Sequence, residues 1–419
     1  MEEEVDMRQR RFRVGALVLV VTVVLGGWSA SSLASSAQRD RTSAKPVVIG
    51  ISLSLSGDFS DEGKAAMRGY KLWQAHQNAQ GGLMGRKIQL KIVDDTSSPD
   101  QAVTNYTNLI TKDKVAFVLG PFSTLLTAPS ATVAHRYGYA FIEPAGGGPA
   151  VFQARLNNVF FAQPAPAIRN ADVLAHYILS LPKSKRPKTA AYPMLDDPFA
   201  APPIQRLKKT LEAHGIKTVY SKIYPSETTD YSPIIQAVVN AKPDLIAAGT
   251  QSVDGYAMAK GLLQLRYNPK FLYIENGANS PLEFPSKIGR ANTTGIFSSG
   301  DWFPQANFKG NKQFIKEYVK RYGGDKSGQD IDTTTAEAYS CGQILTEAVQ
   351  KTHSFSNTKI IAALHTGTWH GVNGNFHWNK YGSPNGNSIL VQWVGGKLVP
   401  VFPSSIAVHK PIAKPKWHG

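Results

Sequence analysis

The 419-residue chain is too long for one domain of average size, so two are expected. Its 42% hydrophobic content, with 10% aromatics, can fill substantial cores and excludes a generally disordered chain. A net charge of +16 would suit nucleic acid, but no recognition helix or aromatic-basic motif accompanies it, and nucleic acid is set aside.

Residues 7–13 are a basic run, residues 14–25 are almost unbroken apolar, and residues 26–37 are mostly small. That pattern reads as a secretory leader, residues 1–37, cleaved near Ala34 or Ala37, with a retained anchor as the alternative. No cysteine follows the apolar run, which excludes the usual bacterial lipid anchor. An exported protein, periplasmic or at the cell surface, is expected. The leader's own charges cancel, so the positive excess lies in the remainder. It suits weak attraction to anionic cell-surface polymer, or simply solubility. Cys341 is the only cysteine, so no intrachain disulfide forms. It shares a helical face with Ala338, Ile344, Leu345 and Ala348, which predicts a core position.

In chain order, residues 47–53 form an apolar strand that stops in a small polar loop, 54–60. A helix follows with Ala66, Gly69, Tyr70 and Trp73 on one face. Residues 87–93 alternate as a strand ending in Asp94 and Asp95. Ser98, Pro99 and Gln101 are a helix start. Strand 115–119, loop 120–124, helix 125–137, strand 139–142 and loop 143–148 complete a β-α-β pattern, which predicts a parallel sheet with helices on both faces. The rhythm restarts after residue 163. Helix 168–181, strand 187–192, loop 194–199 and helix 202–213 are followed by strand 218–223 and helix 231–240. Strand 244–249, loop 250–254, helix 257–265 and strand 271–274 come next. Helices 314–322 and 336–352 precede short antiparallel strands within 371–401. The proline- and lysine-rich segment 404–419 is expected to be loose.

Ligands gather where strand carboxyl ends meet helix amino ends, because unpaired N–H groups and the dipole's positive end point there. Ser54 and Ser56, Ser123 and Thr124, Ala145 to Gly147, Asp196 to Phe199, Thr250 and Gln251, and Glu275 and Asn276 all fall at such ends. A cleft between the two units would set hydroxyls and backbone donors against aromatic and acidic groups, a pocket for a small polar, zwitterionic or amide-bearing molecule. No catalytic, phosphate-binding or dinucleotide motif is present, so neither an enzyme nor a cofactor is expected. His365, His370 and His377 match no helix face and have no acidic or thiolate partner nearby, which argues against a metal.

Several motifs together resemble the branched-chain amino acid type of ABC-transporter substrate-binding protein, with the class I periplasmic-binding-protein fold. They are residues 49–63 with Leu55-Ser56-Gly57, residues 78–85, Val93-Asp94-Asp95 with Pro99, residues 118–123, Glu143-Pro144-Ala145 and residues 336–339. The resemblance implies an α/β fold of two lobes joined by three crossings, near Gln163, Ser298 and Gly371. The first lobe would hold residues 46–162 and 299–370, the second residues 163–298 and 371–403. It implies that Ser123, Thr124 and Ala145, Gly146 and Gly147 hold a ligand carboxylate, with Ser56 nearby. Glu275 and the Ala145 carbonyl would hold the ammonium, with Phe199, Gln251 and Asn276 in the pocket. A hydroxyl residue common in that loop is Gly147 here, and both expected pocket tyrosines are replaced. Amides, urea, short peptides and aromatic acids therefore stay open as ligands. The implied function is capture of a small ligand for a membrane permease, as a monomer. A sensor of the same fold coupled to a signalling partner is the competing class.

Overall fold

The computed structural model describes residues 45–418; the leader lies outside the described residues. Strand β1 (Val47–Leu53) leads into α1 (Ser60–Ala79), β2 (Ile88–Asp94) and α2 (Pro99–Thr111). Then come β3 (Phe117–Leu119), α3 (Thr124–Arg136), β4 (Phe141–Glu143), α4 (Pro149–Gln153) and β5 (Val159–Phe161). These strands form a wholly parallel sheet in the order β2-β1-β3-β4-β5.

The next run is α5 (Asp172–Ser180), β6 (Thr189–Leu195), α6 (Ala201–Ala213), β7 (Lys217–Tyr224) and α7 (Ser232–Asn240). It continues through β8 (Leu245–Ala248), α8 (Ser252–Gln264), β9 (Phe271–Ile274), α9 (Glu283–Ile288), α10 (Arg290–Thr293) and β10 (Phe297–Gly300). Next are α11 (Asn311–Tyr322), α12 (Thr333–Thr352), α13 (Asn357–Leu364) and the hairpin β11 (Trp369–Gly371) and β12 (Gly374–Phe376). Finally β13 (Ile389–Val394) and β14 (Lys397–Phe402) close a second sheet, β14-β13-β10-β9-β8-β6-β7, in which β13 and β14 run antiparallel.

Strand periodicity sorts side chains to opposite faces of each sheet. Val47, Ile49 and Ile51 pack against Tyr70, Trp73, Cys341 and Ile344, while Val48 packs on the other face with Leu109. Leu245 and Ala247 face one core of the second sheet; Ile246 and Ala248 face the other. Helices α1 and α12 cross closely because glycine sits at both contacts. A Cβ on Gly69 would lie 2.2 Å from the Thr335 carbonyl oxygen, and one on Gly342 would lie 2.0 Å from the Trp73 ring. Trp73 Nε1 donates to Thr346 Oγ1 at 3.0 Å across the same seam.

Three segments of chain run side by side between the sheets. Asn373 Nδ2 donates to the Ala162 carbonyl at 2.9 Å and to Asp301 Oδ2 at 2.6 Å. Gly386 N donates to the Pro164 carbonyl at 2.7 Å, and Ser388 Oγ to Asn170 Oδ1 at 2.9 Å. The position expected for a crossing, Gly371, lies inside the β11–β12 hairpin, and Phe376 and Trp378 still pack in the first core. The chain joins the second sheet at β13.

The end of the chain is not loose. Trp417 is buried and donates Nε1 to the Tyr267 carbonyl, Lys414 Nζ lies 3.2 Å from the Trp417 ring centroid, and Ile412 N donates to Gln392 Oε1. Its composition predicts a loose segment; a single aromatic anchor and hydrogen bonds between the Gln392 side chain of β13 and the Ile412 backbone overcome that.

Candidate functional site

A cleft, partly open to solvent, lies between the two sheets at their strand carboxyl ends. The first lobe contributes Phe122, Ser123 and Ala145 after β3 and β4, and Thr333, Thr334 and Glu337 from the start of α12. The second contributes Phe199, Gln251, Glu275 and Asn276 after β6, β8 and β9, and Ser299, Gly300 and Asp301 at the end of β10. Gln163, Asn170 and Ser388 line it from the connecting segments.

Local hydrogen bonds fix much of this wall. Asp197 Oδ1 accepts the backbone N–H groups of Phe199 at 2.7 Å and Ala200 at 3.0 Å, which turns the chain from β6 into α6. It also accepts Gln251 Nε2 at 3.2 Å, and Asn276 Nδ2 donates to Gln251 Oε1 at 3.1 Å. Gln251 further forms a capping box with Asp254, so α8 starts at Ser252, where the sequence predicts loop. The second-lobe side chains are thereby preset.

The acidic groups are the least satisfied part of the cleft. Glu275 Oε2 accepts the Tyr273 hydroxyl, but Oε1 has no partner. Burial raises Glu275 to about 7, with the Tyr273 hydrogen bond opposing. Asp301 accepts Thr333 Oγ1 at 2.8 Å and Asn373 Nδ2 at 2.6 Å, and burial raises it to about 6. Glu337, beside it, is raised by burial and then by the Asp301 charge, and its Oε2 is unpartnered. Ser123 Oγ is also buried without a partner.

Of the residues the sequence singles out, Ser123, Ala145, Phe199, Gln251, Glu275 and Asn276 converge on this cleft. Thr124, Gly146 and Gly147 stand behind its wall. Thr124 Oγ1 accepts Gly148 N at 3.0 Å, and Gly146 N donates to Glu143 Oε2 at 2.5 Å. Gly147 is small for a visible reason: a Cβ there would lie 2.3 Å from the Phe161 ring. Ser56 is turned elsewhere, its hydroxyl donating to Asp94 Oδ2 at 2.8 Å, and Ser54 donates to the buried Asp95 at 2.6 Å. The 54–60 loop is thus tied to the β2 end rather than lining the cleft.

Sequence reasoning missed Asn170, Ser299, Asp301, Thr333, Thr334, Glu337 and Ser388. A signal existed for some of them: Ser298-Ser299-Gly300-Asp301 is a small, polar stretch directly after Ile296-Phe297, and Asp332 followed by three threonines is a helix cap. Among the described residues no group of three metal-ligating side chains is present.

Two α/β lobes with a polar cleft at facing strand ends define a solute-binding architecture of the class I periplasmic type. A family model described as periplasmic binding protein matches residues 46–397, and the chain belongs to that family. Leu/Ile/Val-binding protein homolog 7 of Brucella melitensis is 23% identical over 370 residues, 84% of this chain and 90% of that protein. A leucine-binding protein of Thermotoga maritima superposes with a TM-score of 0.73 at 18% identity, covering 84% of this chain and 97% of that one. An ABC-transporter solute-binding protein of R. palustris, solved in complex with benzoate, gives 0.74 at 20%, covering 87% and 98%. These structural likenesses carry the fold.

Proposed function

We infer that the protein is the extracytoplasmic solute receptor of an ABC importer. It captures one small polar solute between its lobes by hinge closure and hands it to a membrane permease. The carrying observation is the cleft itself: polar groups from both lobes meet there, and three of them, on Ser123, Glu275 and Glu337, are buried without partners. A bound solute satisfies such groups, and the gain is available only when both lobes surround it. The relatives' names, which specify Leu/Ile/Val binding, support the solute-receptor reading.

In this reading residues 46–162, and the segment from α11 through Trp378, move as one lobe. Residues 171–298 and β13 onward move as the other, with the paired segments around Ala162, Asp301 and Asn373 as hinges. Ser123, Ala145, Phe199, Gln251, Glu275 and Asn276 touch the solute. Residues 1–37 direct export, consistent with a periplasmic binding protein. Among the described residues no helix is long and apolar enough to cross a membrane.

The test is a thermal-shift screen against amino acids, amides, amines and aromatic acids. A solute present at a hundred times its dissociation constant stabilises the folded chain by about 2.7 kcal/mol. Stabilisation by one chemical series, without turnover, is the expected result; conversion of the solute refutes the receptor reading.

A further inference from the structure

The cleft is electrostatically one-sided. Its lining includes the carboxyl groups of Glu275, Asp301 and Glu337, and no lysine, arginine or histidine. Glu275 comes from the second sheet, while Glu337 stands on α12, which packs against α1 of the first lobe. Each is almost wholly buried, and each leaves one carboxylate oxygen, Glu275 Oε1 and Glu337 Oε2, with no hydrogen-bond partner. A buried carboxyl oxygen without a donor is costly, so each of these two oxygens favours a ligand that brings an N–H group to it.

The site expected for a ligand carboxylate is, in turn, already engaged. The Gly146 N–H is taken by Glu143 Oε2, a carboxylate of the protein itself, and the Gly148 N–H is taken by Thr124 Oγ1. Glu143 is fully buried directly behind that loop and already occupies its N–H donor, so a ligand carboxylate there would have to displace it. What remains unpartnered on that side, the Ser123 hydroxyl, suits a neutral polar atom.

Building on the receptor reading above, we propose that the ligand is a net cation: an amine, amidine or guanidine whose N–H groups supply donors to Glu275 Oε1 and Glu337 Oε2. A ligand carboxylate is not required for binding. Burial holds both groups toward the neutral acid, and a bound cation favours their ionised forms, to which its N–H groups make charge-assisted hydrogen bonds; an anionic ring acid brings no donor to either. Asp301 is a positioning residue: held by Thr333 and Asn373, it stands beside Glu337 and raises it further.

Matched probes isolate the charge from the size. Calorimetric titration of the full described chain compares benzamidine with benzamide and benzoate, and 3-methylbutylamine with L-leucine, which differs from it by a carboxylate. The expected result is that each cation binds at least tenfold tighter than its neutral, anionic or zwitterionic counterpart. Glu337→Gln and Glu275→Gln each weaken the cation at least tenfold while circular dichroism and the unfolding transition stay cooperative. Should either variant fail to fold, the probe ranking in the unaltered protein still decides the matter. Tighter binding of benzoate, benzamide or L-leucine overturns the cation assignment and leaves the receptor reading standing. Absence of binding by every cation also overturns it; if the broad solute screen is empty as well, the receptor reading falls with it.

Discussion

Ser252, the first residue of α8 in the second lobe, donates its hydroxyl to Glu62 Oε1 on α1 of the first. Both side chains are buried, and Glu62 Oε2 has no partner. The contact exists only while the lobes are together, since opening would return both groups to water. Elsewhere between the lobes, Gly148 lets them approach: a Cβ there would lie 2.6 Å from the Pro198 carbonyl oxygen.

Removing this latch should therefore act on closure. Ser252→Ala leaves the Glu62 carboxyl without its donor in the closed form while costing the open form little. The expected result is weaker ligand binding by about 1–3 kcal/mol, the range for an unsatisfied buried acceptor. Calorimetry with the best solute from the screen measures it. Unchanged affinity would remove the contact from the bound state.

Stability should depend on pH in a stated direction. Burial raises Glu62 to about 7, Glu143 to about 8, Glu275 to about 7 and Asp301 to about 6. Unfolded, these groups titrate near their ordinary values, so the folded chain holds more protons between about pH 4.5 and 7. Linkage then makes stability fall as pH rises through that window. Lys414, lowered to about 7 by burial, opposes the trend only above pH 7. Asp94 and Asp244 stay low despite partial burial, through hydrogen bonds, and act only below the window. The ligand-free protein should melt a few degrees higher at pH 5 than at pH 7. Glu143→Gln should flatten the difference, and a higher melting temperature at pH 7 would contradict the account.

The α1–α12 seam should tolerate no added methyl. Gly342→Ala drives a Cβ into the Trp73 ring, which is held by its bond to Thr346, so relief requires the helices to separate. A loss of about 1–3 kcal/mol is expected, the usual cost of overpacking, read from chemical denaturation. Gly138→Ala, where the same Cβ meets nothing within 4 Å but φ is +73°, controls for backbone strain alone.

Much of the architecture was legible in the sequence because strands and helices carry distinct periods, and the alternation at Ile49 and Ile51 or Leu245 to Ala248 survives into the cores. Strand-end loops were legible for the same reason. What the loops do with their own donors was not. Ser56 and Gly146 have the right chemistry at the right strand ends, yet their groups go to Asp94 and Glu143. Nor does local sequence show that Glu337, on an amphipathic helix, reaches a cleft formed by strands far away in the chain. The docking of Trp417 escaped for a related reason: its partner, the Tyr267 carbonyl, is 150 residues distant.

The central claim is that one solute binds unchanged between the lobes. Native mass spectrometry of the protein with the most stabilising solute, followed by chemical recovery of that solute, tests it most directly. The account predicts one intact solute per chain, and loss of that complex in Asn279→Trp, which fills the half-buried rim of the cleft. Recovery of a converted product, or full binding by the filled variant, would contradict it.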